Sequence, residues 1–299
     1  MINSPSPETA VALGSFDGLH IGHKSVIACA LSFKERGLIP CVLLFNSHPL
    51  SVLTGSAPPA LLQRTVRSRM LADMGIKEKF AAFEEVMNMS PREFFDEILI
   101  GRLSAGAVCC GANFHFGKNG EGNTDTLAAL CREKGIEIVT VPLVYCGGSP
   151  VSSSRIREAI KNGDIPAANE MLGYEFCYEA IVRTGSKRGR QMGFPTINQY
   201  FEDDFIVPKT GVYASRVTVD GKEYPGVTNI GLRPSFENED LRSETCILNF
   251  SGDLYGETIK VSLIERIRDE RPFADMDELR SQIKKDAEQS LILGGCRHV

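Results

Sequence analysis

At 299 residues, 42% hydrophobic and 24% charged, the chain has the length of one large domain or two ordinary ones and the composition of a soluble globular protein. A net charge of −5 without any dense Lys/Arg run argues against a nucleic-acid surface, and no apolar run is long enough to span a bilayer. The opening MINSPSPET lacks the apolar core of a signal peptide, and nine cysteines, an odd number without C-x-x-C spacing, read as reduced thiols of a cytoplasmic protein.

The first organised stretch is VALGSFDGLHIGH, residues 11–23. Its apolar start predicts a short buried strand. The loop Gly14-Ser15-Phe16-Asp17-Gly18 follows, then a helix whose Val26, Cys29, Ala30 and Phe33 recur at i, i+3, i+4 and i+7. A strand, a glycine loop and a helix start form a phosphate-binding arrangement, because unpaired N–H groups and the positive end of the helix dipole face the loop. His20 and His23 are three apart, which puts both imidazoles on one face of the first turn, where two donors suit nucleotide phosphates. A zinc site would need a further ligand at readable spacing, and none is found.

Residues 40–45 (PCVLLF) predict a second strand, ending in the polar loop Asn46-Ser47-His48-Pro49 at the edge where ligands bind in such sheets. Residues 63–74 predict a helix. Ser90-Pro91-Arg92-Glu93 is a capping box that opens a helix through Leu99. Residues 105–111 (AGAVCCG) predict a buried strand in which Cys109 and Cys110 pack the core. After it, Gly111 to Lys118 fails as a P-loop: the glycines are too far apart and Asn119 stands where a Ser or Thr should follow the Lys. Residues 137–144 predict one more strand, and the alternation of strands with helices signals a mostly parallel sheet. Three hydroxyls, Ser152, Ser153 and Ser154, then lead into a helix whose first turn carries Arg155 and Arg157. One of the three explains an N-cap, and the group also forms a second anion cradle.

A helix over 164–172 ends at Gly173, and the pattern changes. Residues 176–182, 211–219, 224–230, 244–250 and 258–265 are short, β-branched and aromatic, with an Asp220-Gly221 hairpin signal between two of them. They predict a small antiparallel barrel, with a division into residues 1–173 and 174–299. A closing helix over 272–293 repeats Met276, Leu279, Ile283 and Ala287 on one face. Within the barrel half lies Gly185 to Asn198, where Gly185, Gly189 and Gly193 let the backbone fold closely round phosphates. Thr196 and Asn198 alternate along an extended piece, so both oxygens point one way and suit Mg²⁺ carrying ATP. On spacing alone, a plain glycine-rich hairpin stays open.

GSFDGLHIGH resembles the nucleotidyltransferases that carry the H-x-G-H signature, and among them the adenylyltransferase module of bifunctional riboflavin kinase/FAD synthetases. Residues 185–198 match the riboflavin kinase pattern G-x-x-x-G-R-x-x-G-F-P-T-x-N, and the two motifs stand in the family order about 170 residues apart. The resemblance implies a Rossmann-like α/β nucleotidyltransferase domain followed by a small antiparallel β-barrel with a C-terminal helix. ATP contacts are then expected from Gly14, Ser15, Phe16, Asp17, Gly18, Asn113, Ser152, Ser153 and Ser154 in the first domain. In the second they are expected from Gly185, Gly189, Arg190, Gly193, Phe194 and Pro195. His20, His23 and Arg157 would handle the triphosphate, Thr196 and Asn198 the Mg²⁺, and His48, Pro49 and Arg268 the flavin. Glu244 would accept the riboflavin 5′-hydroxyl proton. Riboflavin, FMN, FAD and ATP are the implied substrates and products. No nucleic-acid or membrane partner is expected, and a homo-oligomer is left open.

The chain departs from the family pattern at Ser47, Ser154, Ser235, Cys246 and Asn249, and His115 stands where the family often has Arg or Thr. The changes at Cys246 and Asn249 leave as one alternative an FMN adenylyltransferase with a weakened kinase domain; a second, a flavin-binding protein without turnover, is opposed by the paired H-x-G-H and 152–157 elements, since storage needs no leaving-group cradle.

Overall fold

The computed structural model describes residues 8–184, 194–234 and 239–294. The chain divides into two compact units, one of residues 1–59 and 64–152, the other of residues 60–63 and 153–299.

In the first unit β1 (Thr9–Leu13) leads to α1 (Ile21–Ser32), then β2 (Ile39–Phe45), α2 (Pro49–Thr54), α3 (Arg64–Asp73), β3 (Lys77–Ala81) and α4 (Phe83–Val86). A one-turn α5 (Pro91–Glu93) runs on into a π-helix, Phe94–Arg102, followed by β4 (Ala105–Gly111), α6 (Thr124–Lys134), β5 (Glu137–Val141) and the short pair β6 (Tyr145–Cys146) and β7 (Ser149–Pro150). The sheet is parallel with order β3-β2-β1-β4-β5. Its central strand, TAVAL, is buried along its whole length, as a strand covered on both faces must be. Because β2 and β4 lie on opposite sides of β1, the carboxyl ends of β1 and β4 flank the point where the strand order reverses, the place where open α/β sheets bind ligands.

The capping box forms as expected: the Ser90 hydroxyl accepts from the Glu93 N–H and the Glu93 carboxylate accepts from the Ser90 N–H. The helix it opens then widens, with the Leu103 N–H bonding the Ile98 carbonyl five residues back. The wider turn stacks residues four apart, so that Phe94 and Phe95 and, one turn on, Ile98 and Leu99 all enter the core together. The β5 strand stops at Val141, short of the expected Val144, and β3, α2, α4 and α6 were not foreseen.

The second unit begins with α7 (Ser153–Asn162) and α8 (Ile165–Leu172). Asp164 caps α8 and Gly173 closes it in the left-handed region. Six strands follow: β8 (Cys177–Ile181), β9 (Thr196–Tyr200), β10 (Gly211–Val219), β11 (Lys222–Pro234), β12 (Glu239–Ile247) and β13 (Thr258–Arg268). They form an antiparallel sheet of order β8-β13-β10-β11-β12-β9. It curls until its edges meet, where the Arg183 N–H bonds the Asn198 carbonyl at 2.8 Å and the Gln199 amide bonds the Ala180 carbonyl at 2.7 Å. The expected barrel is therefore present. The Asp220-Gly221 turn has both residues at positive φ, 49° and 75°, the geometry that matches the twist of a two-residue hairpin. Residues 60–63 complete this unit. Gln63 accepts the Glu179 N–H and donates to the Glu179 carbonyl and the Glu202 carboxylate.

The closing helix α9 (Met276–Leu293) docks differently from expectation. Met276 is 55% exposed, whereas Asp286 and Ser290 are the buried positions. The helix is seated by polar bonds: the Ser290 hydroxyl donates to the Gly226 carbonyl at 2.6 Å, and Asp286 takes the Arg268 guanidinium at 2.8 Å. Of the expected stripe, Leu279, Ile283 and Ala287 are half-buried and Met276 is exposed; the polar contacts at Asp286 and Ser290 are what apolar periodicity does not reveal.

Candidate active sites

The glycine loop of the first unit is built under constraint. Phe16 and Leu19 both adopt positive φ, 49° and 41°, a region that costs a side-chain-bearing residue energy, and both side chains are fully buried, which holds them there. A Cβ on Gly14 would lie 3.3 Å from the Phe16 ring, so the loop closes tightly over it.

His20 is the N-cap of α1, and its Nδ1 accepts the His23 N–H at 3.2 Å. That bond fixes the tautomer and puts the proton on Nε2, as a donor. The His20 and His23 rings stack, centroids 3.6 Å apart and 14° from parallel. A Cβ on Gly22 would meet the His20 ring at 3.2 Å, which accounts for the glycine of the motif. Burial lowers the His20 pKa to about 4, and burial followed by the repulsion of His20 holds His23 well below 6.5. Both imidazoles are therefore neutral donors at neutral pH. His23 Nε2 stands 3.5 Å from the Ser15 hydroxyl, and its Nδ1 is buried with no hydrogen-bond partner, a polar atom that suits a phosphate oxygen.

Elsewhere among the expected residues, His48 caps α2 by accepting the Leu50 N–H at 3.1 Å, with Pro49 in its first turn. The Asn113 amide oxygen packs against Gly111, at 3.3 Å from where a Cβ would stand, at the end of β4, and the Asn113 carbonyl lies 3.0 Å from His115 Nδ1. Sequence reasoning missed Arg64 and Arg67 of α3. Arg64 donates to the Asn46 carbonyl at 2.7 Å. Burial depresses the Arg67 cation, Glu78 and then Asp17 of the glycine loop support it, and its Nε is buried and unpaired. The i, i+3 spacing of the two arginines at the start of the expected 63–74 helix was the available signal. Ser152 immediately precedes α7; Ser153, Ser154, Arg155 and Arg157 lie in its first two turns, with Ile156 and Ile160 anchoring the buried face.

In the second unit the carboxylate strand β12 lies against β9 with Glu244 opposite Asn198 and Cys246 opposite Thr196. Alternation along the strands puts Thr196, Asn198 and Tyr200 on the same face as Arg242, Glu244 and Cys246. The opposite face of the sheet carries the barrel interior, where the Ser215, Thr228 and Thr245 hydroxyls bond one another. Arg242 Nη2 reaches Glu244 Oε1 at 2.9 Å and its Nη1 reaches the Tyr200 hydroxyl at 3.3 Å. Burial opposes the Arg242 cation, but Tyr200 and Glu244 outweigh it and its pKa is raised. Asn229, opposite Glu244 on β11, donates to Glu270 at 2.9 Å. The Glu270 carboxylate lies close over Gly231, in the space a Cβ there would take.

Cys246 is buried, which pushes its thiol up to about 11 and leaves it a packing group. Asn249 has φ 59°, a turn position that Asn and Asp both tolerate, so the turn survives that departure from the family residue. Arg268, expected at the flavin, has its guanidinium committed to Asp286 and the Asp269 carbonyl, which makes it a fastening for α9. Phe194 and Pro195 lead directly into β9. Gly185, Gly189, Arg190 and Gly193, with Ser235, lie outside the described residues. Among the described residues no three His, Cys, Asp or Glu side chains gather as a metal site, and no helix is long and apolar enough to cross a membrane.

Comparison with known proteins gives each half of the chain a family match. Residues 2–155 match the FAD synthetase family model and residues 172–292 the riboflavin kinase model. The bifunctional riboflavin kinase/FMN adenylyltransferase of Bacillus subtilis is 36% identical over 97% of this chain and 94% of its own length. The proteins of the same description from Listeria monocytogenes and Escherichia coli K12 are each 32% identical, over 94% and 95% of this chain and 90% and 92% of their own lengths. A crystal structure described as a macrolide-efflux protein from Streptococcus pneumoniae superposes with a TM-score of 0.87 at 29% identity, covering 98% of this chain and 96% of that one. With the two family models matching in sequence order and near-full-length relatives of one description, the chain belongs to the bifunctional riboflavin kinase/FMN adenylyltransferases, which phosphorylate riboflavin to FMN and adenylylate FMN to FAD.

Proposed function

We propose that the two reactions are carried by separate residue sets, Glu244 with Thr196 and Asn198 for the kinase and His20, His23, Ser153 and Arg157 for the adenylyltransferase, within domains 1–173 and 174–299. The observation that carries the kinase half is the register of β9 and β12, which sets Glu244 directly opposite Asn198. The riboflavin 5′-hydroxyl attacks the γ-phosphorus of ATP, Glu244 takes its proton, and the bond to ADP breaks. The Thr196 hydroxyl and the Asn198 amide oxygen, on one face of β9, are hard-oxygen donors that fit Mg²⁺. When bound, that ion neutralises charge on the nucleotide phosphates.

In the adenylyl transfer an FMN phosphate oxygen attacks the α-phosphorus of ATP and pyrophosphate departs. The neutral imidazoles donate hydrogen bonds to phosphate oxygens, backed by the N–H groups at the start of α1. Ser153 and Arg157 hold the departing pyrophosphate, aided by Ser152 and Ser154. Gly14 to Gly18 and Asn113 line the nucleotide, and His48 and Pro49 meet the flavin. Arg268 acts on the kinase flavin through the strand end it fastens. A cytosolic setting, with small molecules as the partners, completes the reading.

The test is to incubate the enzyme with riboflavin, ATP and Mg²⁺ and to separate the flavins. Glu244→Ala is expected to lower FMN formation at least about a hundredfold and leave FMN-to-FAD conversion intact, and His23→Ala to do the reverse. Loss of both activities in both variants, with folding retained, overturns the division.

A further inference from the structure

We propose that Arg242 is a positioning residue for riboflavin phosphorylation, holding the Glu244 carboxylate where it meets the substrate hydroxyl. The inference rests on the reading of Glu244 as the base. Arg242 and Glu244 are two apart on β12 and so share a face, and their side chains are only 17% and 19% exposed. Sheltered from solvent, the 2.9 Å pair is far less screened than a surface ion pair.

The arginine is itself held. Tyr200, its register partner on β9, meets Nη1 at 3.3 Å, and the Arg183 guanidinium lies over the Tyr200 ring at 5.1 Å. A relay of side chains therefore runs from Arg183 through Tyr200 and Arg242 to Glu244, ending on the face that carries Thr196 and Asn198. An unanchored Glu turns about several bonds, and each turn moves the accepting oxygen by ångströms. Fixing it before substrate arrives places the loss of freedom in folding and leaves less to lose at the transition state. Tyr200 and Arg242 act on the reaction only through the carboxylate, which makes them positioning residues.

The experiment compares steady-state kinetics of Arg242→Met, Arg242→Lys, Tyr200→Phe, Glu244→Gln and the Arg242→Met/Glu244→Gln double variant, all in the full chain. Arg242→Met is expected to lower kcat for riboflavin phosphorylation by about tenfold to a hundredfold, with KM for riboflavin and ATP within about twofold. Arg242→Lys is expected to regain a good part of that loss, and Tyr200→Phe to lose only severalfold. The double variant should be no slower than Glu244→Gln alone, because Arg242 works through that group. Tyr200→Phe removes one hydroxyl and so keeps a readout if Arg242→Met misfolds. An unchanged kcat in Arg242→Met, a rise in KM alone, or losses that add in the double variant would overturn the inference while leaving Glu244 in place. A fully active Glu244→Gln would instead remove the reading beneath it.

Discussion

Two imidazoles face to face at 3.6 Å share one small volume, so a proton on either repels a proton on the other. Burial already disfavours the charge, and the result is a pair of neutral donors at the mouth of α1. Their stability consequence has a definite sign. In the unfolded chain both rings titrate near 6.5, while in the fold His20 titrates near 4 and His23 well below 6.5. Across that interval the unfolded state binds more protons, so stability is complete above pH 6.5 and falls as the pH drops toward 4. Calorimetric melts at pH 7.5 and 5 should show a larger drop for wild type than for a His20→Asn/His23→Asn variant, in which Asn still caps the helix. Equal drops would show that other groups set the acid sensitivity. The existence of this pair was legible in the sequence from its spacing. Its neutrality was not, because that depends on burial and on the stacking of rings from a cap and a first turn.

At the scale of elements, the fastening of α9 turns on one buried carboxylate. Asp286 receives the Arg268 guanidinium through both oxygens and the Gln282 amide besides. Removing it leaves an arginine that is four-fifths buried without its counter-charge. Asp286→Ala should lower the stability of the barrel unit by about 3 kcal/mol in urea unfolding. A loss below about 1 kcal/mol would assign the seat of the helix to its apolar contacts. The strands of the barrel were legible because short β-branched runs between turn residues have few other uses, and the Asp-Gly hairpin fixed one junction to the residue. The edge strand β3 was not: three of the five residues of KEKFA are charged and Phe80 is left exposed, so no alternation of buried and open positions marks it. The π-helix was hidden for another reason, since its pattern of apolar pairs also suits an α-helix over a turn or two. Arg242 shows the same limit at a site. Its place two residues before Glu244 was visible, but its partner Tyr200 comes from a strand that only the register brings alongside.

For the whole molecule, one chain holds the maker of FMN and its consumer, and the two units are less separable in sequence than the family models suggest. Residues 60–63 interrupt the first unit and belong to the second. There the Ala60 N–H bonds the Asp204 carbonyl, the Ala60 carbonyl accepts from Ile206, and Gln63 makes three side-chain bonds at 2.7 to 2.9 Å. Gln63 is buried, so Gln63→Ala strands a backbone N–H and a carbonyl of Glu179 and should destabilise the second unit by about 1–3 kcal/mol. Hydrogen exchange gives the check, with protection expected to fall at Glu179 and its strand neighbours and to hold in β1 and β4.

That borrowed strap has a consequence for the birth of the protein. Residues 60–63 leave the ribosome about ninety residues ahead of the rest of the unit they complete. A nascent chain halted just before residue 153 already has every strand of its parallel sheet, while the strap has nothing yet to pair with. The kinase half is thus finished by a piece that must wait in place through the translation of its neighbour, and a gene split at the seam between the halves would deliver each product with that piece on the wrong side of the cut.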